Sequence, residues 1–376
     1  MQEEATPPPT RRSLLAGAGL LAAGLPGCGP GPGAVRRTVG IQSGERVRWR
    51  LASSFPSSLE AMFGAAQLLA ERVSKATGGL FEIEVYQAGE IVPALEVMGA
   101  VEQGSIEVGQ TAGYYYTGKN PALAFETCVP FGLTPRQQQA WLWQGGGLEH
   151  LRSLFGEFGV RNFPAGNTGA QMGGWFNRDV EGPQDLAGLK MRIPGLGGKV
   201  MDALGVSVQN LPGGDIYQAL ERGAIDATEW VGPFDDERLG FHKVARNYIY
   251  PGWWEPGPEL SFQVSERAWA KLPSSHQAAF ESAVREAGIW MQTRYDAENP
   301  AALARIVDTG VKLKPFSKEL MVRAREASEQ LLSDQASAGD GRHRKMLEDW
   351  RKFRKDIFRW FGTAELAYAD FAFRPE

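Results

Sequence analysis

The sequence predicts an α/β fold composed of two similar lobes. Strand-like, helical and strand-like segments follow one another at the start of the globular part, an order typical of a parallel sheet with crossover helices. A second observation is an internal echo: residues 100–107 (AVEQGSIE) match residues 219–226 (ALERGAID) in character at every position. The length of 376 residues is sufficient for two domains, each with its own core.

The first elements have clear periodicity. Residues 47–52 and 81–86 alternate between apolar and polar side chains, as expected of strands. Between them, residues 59–76 place apolar side chains at helical spacing from Met62 to Val73, and Gly78-Gly79 follows as a helix stop. Both copies of the echo predict a helix end, a glycine cap and a short strand with an inward isoleucine.

The later elements follow from the same patterns. Strands are expected at residues 172–177, 189–193 and 206–211, and a helix at residues 215–222 with Asp215 as its N-cap. Residues 273–307 have a helical pattern in which Pro300 should kink or break the helix. Another helix is expected at residues 318–332, followed by a polar linker at residues 333–341.

The last part of the chain, residues 333–376, contains an amphipathic helix. Its apolar residues recur at alternating spacings of four and three, and basic residues fill many other positions; the apolar seam consists of Met346, Trp350, Phe353, Ile357 and Trp360. Such a seam requires a partner surface. Three partners stay open: the chain's own domain, a second subunit that exchanges this helix, and an anionic membrane.

The N-terminus predicts export. Arg11-Arg12 precede an apolar run at residues 14–25, which is too short to span a bilayer but suits a signal peptide of the twin-arginine type. The run ends at Leu25-Pro26-Gly27-Cys28, which resembles a lipoprotein cleavage site and leaves open a lipid anchor on Cys28. We therefore divide off residues 1–28 as an export signal and the Gly- and Pro-rich residues 29–46 as a tether.

Composition excludes several classes of function. The net charge of -4 argues against a nucleic-acid partner, because no surplus of basic residues is present to neutralise phosphates. Two cysteines, Cys28 and Cys128, cannot form a disulfide framework, and Cys128 is expected to be buried. The chain contains no HExxH, GxSxG or GxGxxG catalytic or cofactor motif in a suitable context, so we expect a binding protein and not an enzyme.

Charged and aromatic residues predict a site for a small anion. Arg192 ends a strand-like segment, where a guanidinium can grip a carboxylate through two parallel hydrogen bonds. Taken alone, an arginine is more often part of a weak surface ion pair. Glu229-Trp230 and Trp253-Trp254-Glu255 add two carboxylates and three indoles. In open α/β sheets, ligands bind outside the carboxyl ends of strands, and residues 114–116 (YYY) and Glu229 each follow one copy of the echo.

The two glutamates raise the question of a metal. They would repel an anionic ligand unless a cation lies between them and it. Glutamate carboxylates, a backbone carbonyl and the side-chain oxygen of Gln171 would suit Na⁺ or Ca²⁺, and a 2-oxo or 2-hydroxy acid could complete the coordination shell. Two other interpretations stay open: Glu229 and Glu255 are two solvated side chains, or they are the acid and base of an exported hydrolase.

At these residues the chain resembles the extracytoplasmic solute-binding proteins of tripartite ATP-independent periplasmic (TRAP) transporters. The resemblance covers roughly residues 47–332 and is most specific in residues 183–195 (PQDLAGLKMRIPG) and 220–227 (LERGAIDA) with Glu229-Trp230 after them. It implies a two-lobe α/β periplasmic solute-binding fold with a hinge and an additional C-terminal helix. Residues 47–168 would form lobe 1, residues 169–257 lobe 2, and residues 258–332 would return to lobe 1 through a long helix.

The resemblance also implies a function. It points to the branch that binds 2-oxo acids or lactate with Na⁺ or Ca²⁺ in the periplasm and delivers them to TRAP membrane subunits. Some members of this branch form homodimers by exchanging a C-terminal helix. The roles that it implies are Gln171, Glu229, Glu255 and the carbonyl of Trp230 for the metal, Arg192 for the ligand carboxylate, and Asn167 and one tyrosine, Tyr115, as further ligand contacts.

Overall fold

The computed structural model describes residues 44–374. The predicted export signal, with Cys28, and most of the predicted tether lie outside the described residues. Eleven strands are present in the described part: β1 (Val47–Ser53), β2 (Phe81–Tyr86), β3 (Val108–Thr111), β4 (Val160–Asn167), β5 (Trp175–Phe176), β6 (Lys190–Arg192), β7 (Ser207–Gln209), β8 (Ala227–Thr228), β9 (Asn247–Tyr250), β10 (Glu259–Ser265) and β11 (Lys312–Pro315).

Helices connect and cover these strands. They are α1 (Glu60–Ala76), α2 (Val97–Gln103), α3 (Ala124–Thr127), α4 (Pro135–Gln144), α5 (Gly147–Gly156), α6 (Gly195–Ala203), α7 (Ile216–Glu221), α8 (Pro233–Leu239), α9 (Phe241–Val244), α10 (Glu266–Trp269), α11 (Ser274–Asp308), α12 (Lys318–Ala338), α13 (Gly341–Phe361) and α14 (Ala367–Ala372). Within residues 44–374, no helix is long and apolar enough to cross a membrane.

The strands form two sheets, one for each lobe, which confirms the predicted two-lobe α/β class. The first sheet has the order β2-β1-β3-β10-β4, and the second has the order β11-β9-β5-β8-β6-β7. In the first sheet β1 runs parallel to β2 and β3, as the strand–helix–strand pattern predicts, whereas β10 is antiparallel to both of its neighbours. Two hydrophobic cores are present. The larger contains the apolar residues of the first sheet and also Trp175 and Tyr248 of the second sheet, and the smaller contains their neighbours Phe176 and Ile249.

The internal echo corresponds to a repeated helix–glycine–strand unit. Gly104 (φ 72°) and Gly223 (φ 68°) both adopt the left-handed conformation after α2 and α7, which a residue with a Cβ rarely adopts. Ile106 and Ile225 follow them and are buried. The two units lead into β3 of the first sheet and β8 of the second.

The structure differs from three later predictions. Helix α11 is not broken at Pro300, which lies on its exposed side, where water can satisfy the carbonyl freed by the missing N–H. Residues 258–332 do not all return to lobe 1, because β11 pairs with β9 and the start of α12 packs on the second core. Residues 333–338 extend α12, which leaves only Gly339 and Asp340 between α12 and α13.

Helix α13 docks on its own chain along most of the predicted seam. Met346 and Trp350 are buried, and the Trp350 ring meets that of Phe125 at 5.8 Å. Trp360, at the other end of the seam, is 61% exposed. The two seam residues between Trp350 and Trp360 are half-buried against the first core, so docking on the chain's own domain accounts for the whole seam except Trp360.

Candidate functional site

Arg192 and Glu229 meet at the carboxyl ends of two neighbouring strands of the second sheet. Parallel strands β6 and β8 pair Arg192 with Thr228, so Glu229 is the first residue beyond the end of β8. The two parallel strands bring both side chains to the same edge, where α/β sheets bind ligands.

The Arg192 guanidinium is fixed from several sides. It is only 1% exposed, Nε donates to the carbonyl of Leu211 at 3.0 Å, and Nη1 forms an ion pair with Glu229 Oε1. The Trp230 ring centroid lies 5.0 Å from the guanidinium carbon, and the Trp230 indole N–H donates to Asp235 at 3.3 Å. This is not the solvated surface arginine that the residue alone would favour.

Gln171 and Glu255 approach the same site from the segments before β5 and after β9. The backbone N–H of Gln171 donates to the Glu255 carbonyl at 3.2 Å, and the N–H of Gly252 donates to the Gln171 carbonyl at 2.9 Å. Both side chains are at most 5% exposed. The Gln171 amide donates to Thr168 at 3.1 Å, which leaves its oxygen free for another partner.

Four buried polar atoms of this site have no hydrogen-bond partner among the described residues: Gln171 Oε1, Arg192 Nη2, Glu229 Oε2 and Glu255 Oε2. A buried polar atom without a partner is costly, so such a cluster indicates a ligand. Three of the atoms are hard oxygen donors and one is a guanidinium donor. This set fits an oxygen-coordinated cation together with an anion.

The electrostatics of the site support a cation. Burial raises the pKa of Glu229, which the neighbouring Arg192 opposes. Burial also raises the pKa of Glu255 well above its ordinary value, and the charge of Glu229 adds to this shift. A bound cation would reverse both effects and hold the two carboxyl groups in their ionised form.

The type of metal site is constrained by what surrounds it. Among residues 44–374 there is no group of three or more His, Cys, Asp or Glu side chains arranged to hold a metal. A cation here would therefore rely on two carboxylates and on neutral oxygens. That donor set suits Na⁺ or Ca²⁺ and does not suit zinc.

The tyrosines at residues 114–116 form a 3₁₀ turn that follows β3. Burial raises the pKa of Tyr115, and the positive charge of Arg192 partly opposes this shift. Burial also raises the pKa of Tyr114, and the negative charge of Glu255 adds to this shift. The sequence analysis did not select Tyr114 as a ligand contact. The Tyr116 hydroxyl is bonded to Thr111 at 2.8 Å, in the interior of the first lobe.

Asn167, a predicted ligand contact, and Trp175 both have structural roles. The Asn167 amide donates to the Gly257 carbonyl at 2.9 Å and to Glu259 at 3.2 Å, and its oxygen accepts the N–H of Gly169 at 3.0 Å. Its polar atoms thus already have protein partners. Trp175 stacks on Tyr248 at 4.0 Å as part of the core.

Cys128 lies close to the site, although no sequence signal indicated this. Its Sγ is 3.7 Å from the carbonyl oxygen of Trp254. Burial raises the pKa of the thiol well above its ordinary value, and Glu255 and Glu229 add to this effect. The prediction that Cys128 is buried is confirmed, and the thiol is inert by burial.

Comparison with known proteins gives consistent matches. Residues 52–338 match the model of the family described as bacterial extracellular solute-binding protein, family 7. The chain is 52% identical over 336 residues to a monocarboxylate 2-oxoacid-binding periplasmic protein of Nostoc sp. (strain PCC 7120), covering 89% of this chain and 92% of the relative.

Two solved structures are similar over most of their length. A TRAP transporter solute-binding protein of Bordetella bronchiseptica RB50, a dimer with calcium and picolinate in one of its sites, is 43% identical with a TM-score of 0.86, covering 88% of this chain and 98% of that one. A TRAP periplasmic solute-binding protein of Pseudoalteromonas atlantica T6c, with sodium and pyruvate bound, is 37% identical with a TM-score of 0.84, covering 87% and 99%.

Proposed function

Because this chain belongs to family 7 of the bacterial extracellular solute-binding proteins, we propose that it is a TRAP-transporter receptor that binds a small 2-oxo acid together with a metal ion. Its relatives include a monocarboxylate 2-oxoacid-binding protein and a protein that binds pyruvate with sodium. The observation that carries the proposal is a group of four buried, unpartnered polar atoms, in which the pKa of Glu255 is influenced by Glu229, Arg192 and Gln171.

The residues divide between the metal and the acid. Glu229, Glu255, the Gln171 oxygen and the Trp230 carbonyl would hold the cation, which would supply a positive charge to the carboxylate and 2-oxo oxygens of the ligand. The free Nη2 of Arg192 would donate to the ligand carboxylate, with the Tyr115 hydroxyl beside it. Asn167 would not contact the ligand directly, because its side chain is hydrogen-bonded to Glu259 and to the N–H of Gly169.

Charge balance favours Ca²⁺ over Na⁺ in this chain. Arg192 carries one positive charge, Glu229 and Glu255 carry two negative charges, and a monocarboxylate adds a third. A divalent cation brings this sum to zero, whereas a monovalent cation leaves one net negative charge. All three side chains are at most 3% exposed, and an unbalanced buried charge is costly.

Because the site residues are buried, the two lobes must separate before a ligand can enter. Gln171, Arg192, Glu229 and Glu255 are each at most 5% exposed, so a ligand cannot reach them in the arrangement seen here. Opening and closing about the connections between the two sheets would admit the acid and then exclude water from it. Such closure would present the loaded protein to the membrane subunits of the transporter.

Calorimetric titration tests this function directly. Pyruvate and lactate are titrated into the mature protein with Ca²⁺, with Na⁺ alone, and after removal of divalent metal by a chelator. Tight binding that the chelator abolishes supports the acid–Ca²⁺ complex, and binding that survives the chelator but needs Na⁺ would correct the metal. No heat with either acid under any condition would remove the ligand class.

The hydrolase alternative has no support in the family, whose members are solute receptors and not enzymes. Glu229 is moreover paired with Arg192, so its charge is balanced within a buried ion pair.

The protein acts outside the cytoplasm, as its family does. We further propose that Cys28 carries a lipid that holds the receptor at the membrane surface, on the basis of the Leu25-Pro26-Gly27-Cys28 segment. Mass spectrometry of the mature N-terminus checks this, with Cys28→Ala as the control. A mature protein that starts elsewhere and carries no acyl group would reject the anchor.

A homodimer through the C-terminal segment is also proposed. Beyond α13, four large apolar side chains are 66–85% exposed: Leu366, Tyr368, Phe371 and Phe373. An ion pair of Arg136 with Glu365 at 3.0 Å holds this segment against α4. Several large exposed apolar side chains in one segment are typical of an interface.

The dimer is tested by light scattering of the Phe371→Glu/Phe373→Glu variant. We expect a dimeric native protein and a monomeric variant, because two buried charges would destabilise the interface. Val307→Glu introduces a charge at another exposed apolar residue and should leave the mass unchanged. A native protein that is monomeric at micromolar concentration would contradict the proposal.

A further inference from the structure

A strained phenylalanine joins the two lobes beside the candidate site. Phe131 lies in the loop between α3 and α4 and is the sole non-glycine residue with a positive φ (54°) in the described part of the chain. A bulky residue rarely adopts this left-handed conformation, so the surrounding structure must stabilise it. Although its loop belongs to the first lobe, its ring packs against the hydrophobic core of the second.

The backbone N–H and the carbonyl of Phe131 both form hydrogen bonds. Its N–H donates to the Trp253 carbonyl at 2.8 Å, and its ring stacks on the Trp253 ring at 5.1 Å with an interplanar angle of 14°. Its carbonyl accepts two hydrogen bonds from one guanidinium, that of Arg354, at 3.1 Å from Nε and 2.8 Å from Nη2. The segment that Phe131 contacts, Trp253-Trp254-Glu255, carries one of the two site carboxylates.

Arg354 is itself anchored to both lobes. One turn before it on α13, Trp350 is buried against Phe125 of the first lobe. Arg354 Nη1 lies 3.4 Å from Glu329 on α12, whose first turns pack on the second core. The guanidinium thus connects the docked C-terminal helix, the Phe131 loop and the second lobe.

We propose that Arg354 is a positioning residue of the ligand site, which acts by holding Phe131 in the left-handed conformation so that the Phe131 ring and N–H fix the Trp253–Glu255 segment. Without the two hydrogen bonds to its carbonyl, Phe131 would relax to a negative φ and its ring would leave Trp253. Glu255 would then lose part of the packing that orients its carboxylate. This inference rests on the proposed function for its ligand readout.

Arg354→Gln and Arg351→Gln form a matched pair of variants. Both residues lie on α13 and contact Glu329, but Arg351 does not contact Phe131. Arg354→Gln should weaken pyruvate binding at saturating Ca²⁺ by about 2- to 30-fold, the range for coupling through a packed network. Arg351→Gln should change it by less than about twofold, because its ion pair is exposed. Equal effects in the two variants would overturn the proposal.

A double-mutant cycle separates positioning from general destabilisation. A glycine adopts a positive φ without the hydrogen bonds that Arg354 gives to the Phe131 carbonyl. In the Phe131→Gly protein, adding Arg354→Gln should therefore weaken pyruvate binding by no more than about a further twofold. If the fold-losses of affinity in the two single variants multiply in the double variant, Arg354 does not act through Phe131 and the inference is wrong. Urea unfolding of each variant establishes that the comparison is made on folded protein.

Hydrogen exchange provides a readout that needs no ligand. In ligand-free protein, amides of residues 250–256 should exchange faster in Arg354→Gln than in native protein or Arg351→Gln, because the segment has lost the stacked Phe131. Unchanged exchange there would overturn the inference. If the native protein binds no pyruvate while the exchange difference is present, the proposed function fails and the positioning role of Arg354 stands.

Discussion

Replacing Arg192 with methionine tests the centre of the site. The substitution keeps a side chain of similar length and apolar stem but removes the guanidinium, which is 1% exposed and paired with an equally buried Glu229. Truncating one partner of a buried charge pair costs about 2–5 kcal/mol. If the free Nη2 of Arg192 holds the ligand carboxylate, pyruvate affinity should fall by a factor of about 30 to several thousand.

The assay is calorimetric titration of pyruvate at saturating Ca²⁺, with urea unfolding as a check on folding. Arg305→Met is the matched control, because Arg305 forms a bidentate pair with Glu237 at 2.8 and 2.7 Å, yet is 53% exposed. We expect it to leave affinity unchanged and to cost less than about 1 kcal/mol of stability. A folded Arg192→Met protein that binds pyruvate within about threefold of the native affinity would refute the role of Arg192.

Three further predictions address the metal, pH and the backbone. Glu255→Gln should raise the Ca²⁺ concentration required for pyruvate binding by at least about tenfold in calorimetry, since even residues that only support metal ligands contribute that much. Burial raises the pKa of Glu126 from 4.5 to about 8, so its contribution to stability is complete below pH 4.5 and is lost as the pH rises to about 8. Glu126→Gln should therefore reduce the pH dependence of the unfolding free energy over that interval by on the order of 1 kcal/mol per pH unit. Plots of unfolding free energy against pH that run parallel for native protein and variant would contradict this. Gly174→Ala should lower the unfolding free energy by more than about 2 kcal/mol, because Gly174 has φ 88° and a Cβ there would lie 2.3 Å from the Thr228 carbonyl oxygen. Gly188→Ala, at φ 69° with open space around it, should cost only about 1 kcal/mol in the same measurement.

The local elements followed from periodicity. The strands at β1 and β2 and the helix α1 between them were predicted almost to the residue, because each has a regular apolar pattern and a clear stop signal. Pro300 was the misleading signal. A proline breaks a helix only where the lost hydrogen bond and the ring cannot be accommodated, and the exposed side of a helix packed on the first lobe accommodates both.

The candidate site was predictable in its residue types but not in its arrangement. Arg192 and Glu229 could be placed near each other because both follow strands of one sheet. Gln171 and Glu255 were expected at the site from their residue types and the family resemblance, but no local pattern indicated which contacts would bring them there. Nor did one indicate that Asn167 would hydrogen-bond to Glu259. These contacts depend on how loops from separate strands pack against one another.

The sequence by itself determined the two-lobe α/β class, the order of most helices and strands, and a site chemistry of one arginine with two carboxylates. These are encoded in spacing and residue type, which act over a few residues. Only the tertiary structure decided that β11 joins the second sheet, that α13 docks on the first lobe, and that Phe131 is held at φ 54° between Arg354 and Trp253. Each is a contact between residues far apart in the chain, and its free energy depends on the burial and hydrogen bonding of the whole assembly, which no local pattern specifies.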